Sequence, residues 1–323
     1  MSYLLPSSKA AASLAAVILL AVPSPVRACS ACGCSLISDW PALGYSAVPG
    51  LGAGLRIEYF EQSELRSGTD RVDRNTLPLP NESEIQQRTL NRNTWLDLNC
   101  GLNSSWAISL SLPFHNRFHT TAVDGDTDIS TSRAAGLGDL RLLARYQRSG
   151  LARGFSFQFG FKLPTGRFDQ DFAAGPQAGE PLDRGLQLGT GTTDLLIGAA
   201  WFARAGEHWG TFVQATADQP LAARAGFLPS ASVTLSGGIR WLNANRFTPQ
   251  LQLNVKTETR EHGEEADRAN SGGTLAYLSP GASAELTAQT HAFVFVQLPV
   301  YQRVNGLQLT PRWLLSCGLN RRF

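Results

Sequence analysis

The sequence predicts an all-β protein, a transmembrane antiparallel up-and-down β-barrel of about 12 strands with short periplasmic turns and long outer loops. Three observations predict it. Segments of alternating polarity recur along the chain, short and long connections alternate between them, and residues 311–323 form a last segment that ends on Phe323. A polarity period of two residues is typical of strands whose two faces meet different environments.

The amino terminus predicts export. Residues 1–28 contain Lys9, an apolar run over 11–22 and small residues near Ala28, which is the pattern of a signal peptide. No later stretch stays apolar for the roughly 18 residues that a spanning helix needs. Because only helices and closed sheets satisfy their backbone hydrogen bonds in lipid, we expect a cysteine-containing periplasmic segment at 29–50 and a barrel at 51–323 in the bacterial outer membrane.

Composition and charge exclude several other classes. The net charge is +2 and both signs are spread without blocks, so no nucleic-acid partner is expected. None of the five histidines belongs to a recognised catalytic motif, so we predict no enzyme and assign no catalytic residue. The expected partners are outer-membrane lipid, the barrel-assembly machinery through the C-terminal strand, and small-molecule solutes.

The clearest predicted strand covers 247–258, where Leu251 and Leu253 face one side and Gln252 and Asn254 face the other. Each predicted strand is close to the ~9–11 residues that cross a bilayer at a tilt, and their number is even. The twelve predicted strands are 51–60, 90–101, 105–114, 138–147, 154–163, 192–203, 208–218, 231–241, 247–258, 281–289, 291–301 and 311–323.

The connections between these strands alternate in length. The short ones are 102–104, 148–153, 204–207, 242–246 and Thr290. The long ones are 61–89, 115–137, 164–191, 219–230, 259–280 and 302–310. This order predicts short turns and both chain ends in the periplasm, with the long loops outside.

Four groups of residues carry a family resemblance. They are Gly136-Leu137-Gly138-Asp139, Leu163-Pro164-Thr165-Gly166, Leu188-Gly189-Thr190-Gly191, and Gln297-Leu298-Pro299-Val300-Tyr301 with Val304-Asn305-Gly306. Together they resemble the outer-membrane transporter-like family named for the meta-pathway of phenol degradation. The resemblance implies a relation to channels for fatty acids and aromatic hydrocarbons, a barrel of twelve to fourteen strands, and passive passage of small molecules, with apolar or aromatic compounds slightly preferred.

The motif glycines and aspartates also have a structural interpretation. Gly136, Gly138, Gly166, Gly189 and Gly191 stand where strands meet loops, so we expect positive φ or sharp bends there. Asp139 and Asp194 each lie just inside such a turn and are predicted to accept hydrogen bonds from loop amides.

Predicted strand 291–301 is apolar on both faces, unlike its neighbours. Either this strand packs against an inward plug, or it lines an apolar path on which Phe293, Phe295 and Tyr301 contact substrate. Ten charged residues are also predicted to point inward: Arg56, Glu58, Asp97, Arg141, Arg145, Lys162, Arg240, Lys256, Glu258 and Glu285. Of these, Arg141, Arg145, Lys256 and Glu258 are assigned to the substrate path, either as a constriction that selects solutes or as ion pairs that fill the lumen.

Cys29, Cys32 and Cys34 form a Cys-x-x-Cys-x-Cys cluster at the expected mature amino terminus. Three chemistries stay open for it: a soft metal ion such as copper or zinc, a disulfide or redox pair, and a lipid anchor at Cys29. The alternative function is therefore a metal-binding or redox surface protein in which the barrel serves as an anchor.

Overall fold

A computed structural model describes residues 49–81, 83–149, 153–242 and 246–323. This part of the chain contains thirteen β-strands in one sheet, two 3₁₀ helices at Arg74–Thr76 and Arg184–Leu186, and no α-helix. Neither helix is long and apolar enough to cross a membrane. The strands are β1 (Gly50–Gly68), β2 (Asp70–Arg71), β3 (Ile85–Gly101), β4 (Trp106–Ala122), β5 (Ser130–Leu137), β6 (Leu140–Ser149), β7 (Arg153–Leu163), β8 (Asp194–Ala205), β9 (Trp209–Pro220), β10 (Ser232–Trp241), β11 (Phe247–Glu258), β12 (Gly273–Thr287) and β13 (Thr290–Arg322).

The sheet closes into an antiparallel barrel. Eleven strands form the ring, and β2 and β5 lie outside it. β2 extends the end of β1 as a hairpin, and β5 pairs with the part of β4 that continues past the end of β6. Pairing of β13 with β1 completes the ring, so no edge strand of the barrel wall keeps unpaired backbone groups.

The last strand, β13, is 33 residues long and has two partners. Up to Val304 it pairs with β12, and from Val304 onward it pairs with β1, antiparallel in both cases. Because β12 and β1 run in opposite directions in the alternating ring, the chain reverses within β13, close to Gly306 with its φ of 56°. The predicted strands 291–301 and 311–323 thus fall within one element, and the prediction of twelve separate strands is not confirmed.

Several strands are longer than the sequence predicts. Predicted strand 51–60 is part of Gly50–Gly68, 105–114 is part of Trp106–Ala122, and 281–289 is replaced by Gly273–Thr287. The parts of β1 and β4 beyond the predicted bounds are rich in polar side chains on both faces. Their polarity therefore does not alternate, although their backbones still pair with neighbouring strands. Where both faces of a strand meet polar surroundings, alternation no longer marks it.

Short and long connections occur at opposite ends of the barrel. The short ones are 102–105, 150–152, 206–208, 242–246 and 288–289, at the end where β1 begins and β13 finishes. The long ones are 69–84, 123–139, 164–193, 221–231 and 259–272. Most of the described residues outside the barrel wall therefore lie at one end of the barrel.

The faces of the wall are inverted relative to a soluble protein. In β11, predicted at its observed bounds, Leu253 is 48% exposed on the outside, whereas Asn254 is 0% exposed inside. Its neighbours repeat this pattern. Exposed apolar residues of the outer face include Leu55, Ile57, Leu96, Leu98, Ile108, Leu142, Phe157, Phe159, Ile197, Val213, Leu235 and Leu298. An apolar exterior around a polar interior is the arrangement of barrels that span lipid.

Candidate functional site

The lumen contains a cavity of about 370 Å³ in the half near the long loops. This volume is within the roughly 300–1,000 Å³ of small-molecule sites. Its lining is strongly charged and has more cations than anions. The charged lining residues are Arg56, Arg117, Arg141, Arg145, Lys162, Arg184 and Lys256, with Asp139, Asp194, Asp218, Glu258 and Glu261.

Residues 164–193, called here the lumen loop, form one side of this cavity. Leu182, Leu186 and Leu188 of the loop are buried. From the barrel wall, the Arg117 guanidinium donates a hydrogen bond of 3.0 Å to the carbonyl oxygen of Gly185. The loop therefore packs inward instead of extending into solvent, and it narrows the lumen.

Asp139 holds the lumen loop at both of its ends. Its Oδ1 accepts from the Gly166 amide at 3.0 Å, and its Oδ2 accepts from the Thr190 amide at 2.8 Å and the Thr190 hydroxyl at 2.9 Å. The prediction that Asp139 binds loop amides is confirmed. Asp194 differs, because its carboxylate accepts from the Thr192 hydroxyl at 2.7 Å and forms an ion pair with Lys162.

The motif glycines meet at the same point. A Cβ on Gly166 would lie 2.7 Å from the Gly189 Cα and 3.0 Å from the Gly138 carbonyl carbon, so the three backbones touch. Of the five predicted glycines, only Gly191 has a positive φ, 75°. The expectation of positive φ or bends was therefore incomplete. Glycine is needed at Gly166 and Gly189 because the two backbone segments approach too closely to leave room for a Cβ atom. Three motifs that are distant in sequence thus form one junction.

Trp95 forms the centre of one cavity wall. The guanidinium carbons of Arg56 and Arg141 lie 4.7 Å and 5.3 Å from its ring centroid, and the His115 ring meets it edge-on at 6.1 Å. Cation–π contacts of this kind are strengthened when the pair is desolvated, and Trp95 is buried. Sequence reasoning did not identify Trp95, because inward position alone does not distinguish it from other lumen residues.

The rest of the wall contains paired charges. Lys162 forms an ion pair with Asp194, and Lys256 forms one with Glu258. Arg184 of the lumen loop lies over the Phe227 ring at 5.0 Å and over the Phe168 ring at 4.3 Å. The predicted ion pairs inside the barrel are therefore present, and they occupy the same cavity as the predicted path residues.

A group of buried carboxyls lies where three long connections meet, near the cavity. Burial, followed by the charges of Glu84 and Asp267, raises the pKa of Asp183 well above its ordinary value. Burial, followed by the charge of Asp267, raises the pKa of Glu261 to about 8. These residues come from distant parts of the sequence and belong to no local motif, so the sequence contained no signal for the group.

Glu84 is the exception in this group. Burial alone would raise its pKa, but the hydrogen bond and charge of His119, with hydrogen bonds from Thr121 and Gln86, together lower it. The His119 Nε2 atom lies 3.6 Å from a Glu84 carboxyl oxygen. The ionised carboxylate is thus favoured at Glu84, next to Asp183, whose neutral form is favoured.

Four of the predicted path residues, Arg141, Arg145, Lys256 and Glu258, line the cavity. Most of the ten charged residues predicted to point inward are buried or half-buried. Glu285 is an exception, because it lies exposed near the end of β12 beside the short connection 288–289. There the strand has left the lumen, so alternation no longer decides what its side chains meet.

Phe293 and Phe295 face the lumen, with ring centroids 6.2 Å apart, but they do not line the cavity. They lie nearer the short connections. Phe293 packs close to Gly318, and Phe295 lies against Gly281, where an added Cβ would come within 2.5 Å of a backbone oxygen. The two rings fill space that these glycines leave open.

Tyr301 lies on the outer face and is 46% exposed, in contrast to the predicted inner position. The cause is a β-bulge: Tyr301 pairs with Ala276, whereas Pro299 pairs with the next residue, Tyr277. The extra residue, Val300, shifts the alternation by one, so Tyr301 points outward. A single bulge is enough to invert every later side chain of a strand.

Cys29, Cys32 and Cys34 lie outside the described residues. Within the ranges that the structure does describe, no three His, Cys, Asp or Glu side chains are grouped to hold a metal ion.

Comparison with known proteins rests on structure, because no family model and no curated protein matches the sequence. The COG4313 outer membrane channel from Pseudomonas putida F1 has a TM-score of 0.61 and 13% identity over 85% of this chain and 96% of that chain. This chain shares the barrel fold of that channel. At such identity the likeness concerns the fold alone.

Two further barrels are more distant. The toluene transporter TodX from P. putida has a TM-score of 0.45 and 9% identity over 89% of this chain and 93% of that chain. A Pseudomonas aeruginosa FadL homologue has a TM-score of 0.44 and 9% identity over 85% of this chain and 90% of that chain. The family named for the meta-pathway of phenol degradation is not confirmed by these comparisons.

Proposed function

We propose that this protein is an outer-membrane channel for the passive passage of small molecules. The observation that carries the proposal is a closed antiparallel barrel with an apolar exterior and a polar lumen that contains a cavity of about 370 Å³. In the proposed orientation the outer face contacts lipid, the short connections face the periplasm together with the start of β1 and the end of β13, and the long loops face outward. The lumen loop then narrows the outer half of the route.

The proposed route has two regions with different chemistry. The outer half contains the charged cavity, and the periplasmic half contains the inward rings of Phe293 and Phe295. A small aromatic solute suits both, because apolar surface packs against the rings and polar groups meet the charged wall. Small, apolar or aromatic molecules are therefore the proposed substrate class.

Single-channel recording in planar bilayers tests the channel itself. We expect the mature protein and a variant lacking residues 29–50 to conduct equally, because the described wall loses only Gly50, the first residue of β1, and every described residue that lines the cavity comes later in the chain. A barrel that stays closed with and without that segment, and that binds stoichiometric copper through it, would contradict the proposal. That outcome would support the alternative that Cys29, Cys32 and Cys34 perform metal or redox chemistry.

The role of the inner rings is tested by replacing Phe293 and Phe295 together with Ser. We expect slower flux of a phenyl glucoside, an aromatic solute that crosses lipid slowly, into liposomes, because the apolar contacts in the lumen are lost. The matched control replaces Phe157 and Phe159, whose rings are also 6.2 Å apart but face outward. If flux of the phenyl glucoside is unchanged in a folded variant with Ser at both positions, the rings of Phe293 and Phe295 do not contact the solute.

A further inference from the structure

Arg141 differs in its partners from three of the other cations that line the cavity. Lys162, Lys256 and Arg56 each form an ion pair with a carboxylate, to Asp194, Glu258 and Glu58 respectively. Arg141 contacts the face of Trp95, and among the described residues no carboxylate forms an ion pair with it. Its guanidinium thus lines the cavity without an ion pair to a described carboxylate.

The contact with Trp95 leaves the hydrogen-bonding capacity of this guanidinium available. The contact involves the charge of the guanidinium, 5.3 Å from the ring centroid, whereas the five N–H donors of an arginine serve hydrogen bonds to acceptors. A carboxylate matches two of these donors at once, which makes the pair specific as well as favourable. A guanidinium that lines a cavity and forms no ion pair attracts an anion from solution to this point.

The surroundings of Arg141 are partly apolar. Leu143 follows two residues later on β6 and therefore projects from the same face. Leu188 of the lumen loop and Leu196 of β8 line the same cavity and are buried. A ligand that fits this environment has one negative charge and an apolar body, and the cavity volume of about 370 Å³ accommodates a body of aromatic size.

We propose that the cavity is a binding site for a small organic monocarboxylate, with its carboxylate on the Arg141 guanidinium and its apolar body against Leu143, Leu188 and Leu196. This assignment rests on the proposed function in one respect: it names the chemical class of solute that pauses in the lumen. Binding itself does not require that the barrel conduct.

Calorimetric titration of the purified full chain in detergent tests the site with three probes. Benzoate has the charge and the body, benzyl alcohol has the body without the charge, and acetate has the charge without the body. We expect benzoate to bind at least about tenfold more tightly than either of the others, since a charged hydrogen bond contributes a factor of this size. Equal binding of benzyl alcohol would overturn the role of the guanidinium, and equal binding of acetate would overturn that of the apolar wall.

Variants locate the site. Arg141→Gln is expected to weaken benzoate binding at least about tenfold, and Arg141→Lys, which keeps the charge but loses the planar donor pair, should weaken it less. The control, Arg148→Gln, removes the same charge from the exposed end of the same strand and should leave binding unchanged. Heat-dependent gel migration verifies that each barrel is folded.

The result that overturns the site is benzoate binding of equal strength in the native chain and in folded Arg141→Gln. If Arg141→Gln does not fold, the comparison of benzoate with benzyl alcohol on the native chain decides alone. Failure of the channel proposal looks different, because it would show as absent conductance while benzoate still binds.

Discussion

Replacing Asp139 by Ala is expected to free the lumen loop and to raise single-channel conductance several-fold. The Asp139 carboxylate is buried and accepts three hydrogen bonds from the two ends of the loop, at Gly166 and Thr190. In the variant these two amides lose their acceptor, and the loop loses the junction that holds it across the lumen.

The size of this effect follows from the charge on the acceptor. Hydrogen bonds to charged groups contribute about 1.5–3 kcal/mol each, and they do not add fully. A loss of about 3 kcal/mol would lower the ratio of inward to released loop by more than about a hundredfold. The conductance of Asp139→Asn should lie between those of the native protein and Asp139→Ala, because the asparagine side chain keeps one oxygen acceptor but presents a donor where the second oxygen was.

Asp169→Ala is the matched control, because Asp169 belongs to the same loop and has the same charge. Its carboxylate is exposed and pairs with the exposed Arg167, and pairs between exposed charges contribute little to stability. The measurements are bilayer conductance and the rate of trypsin cleavage after Arg184, whose guanidinium lies over two aromatic rings in the native loop. If Asp139→Ala and Asp169→Ala conduct alike and are cleaved at the same rate, Asp139 does not hold the loop.

The barrel wall was predictable from sequence where one face of a strand is apolar and the other polar. β11 satisfies this condition throughout, and its predicted bounds match Phe247–Glu258. β1 satisfies it only as far as Tyr59, the last apolar residue on its outer face, so its polar continuation to Gly68 was not predicted. Tyr301 was misplaced because a bulge depends on pairing with β12, which no pattern within β13 reveals.

The site was predictable only in its composition. Inward charges follow from alternation, and Arg141, Arg145, Lys256 and Glu258 do line the cavity. Alternation does not predict which of these charged residues form ion pairs, because the partner of each depends on the register between strands. The contacts of the lumen loop depend on the path of a long connection, and polarity patterns contain no information about such a path.

Conductance is expected to rise with pH between pH 4.5 and about 8, as the lumen loop loosens from connection 259–272. Glu261, in that connection, faces Asp183 and Arg184 of the lumen loop, together with Asp267 and Glu258. Burial is the main cause that raises its pKa to about 8, and one of its carboxyl oxygens is buried without a hydrogen-bond partner among the described residues. A released loop would expose this carboxyl to water and restore its ordinary pKa of 4.5.

The direction follows from proton binding in the two states. Between pH 4.5 and about 8 the inward arrangement keeps a proton on Glu261 that the released arrangement has lost. Its stabilising contribution is therefore complete below pH 4.5, falls as pH rises, and is lost above about pH 8. Each tenfold difference in proton affinity corresponds to about 1.4 kcal/mol, so closure weakens by several kcal/mol across this window. The raised pKa of Asp183 also makes closure of the loop weaker as pH rises. The lowered pKa of Glu84 affects closure only at acidic pH.

Glu261→Gln separates this carboxyl from other causes of pH dependence. The amide stays neutral at every pH, so the conductance step between pH 4.5 and about 8 should disappear, and the variant should keep the low conductance that the native protein has below pH 4.5. Glu264→Gln changes an exposed residue of the same connection and should retain the step. A step of unchanged size and midpoint in Glu261→Gln would show that its ionisation does not control the loop. Loss of the step only in Glu261→Gln would mean that burial of one carboxyl couples closure of the lumen to external pH.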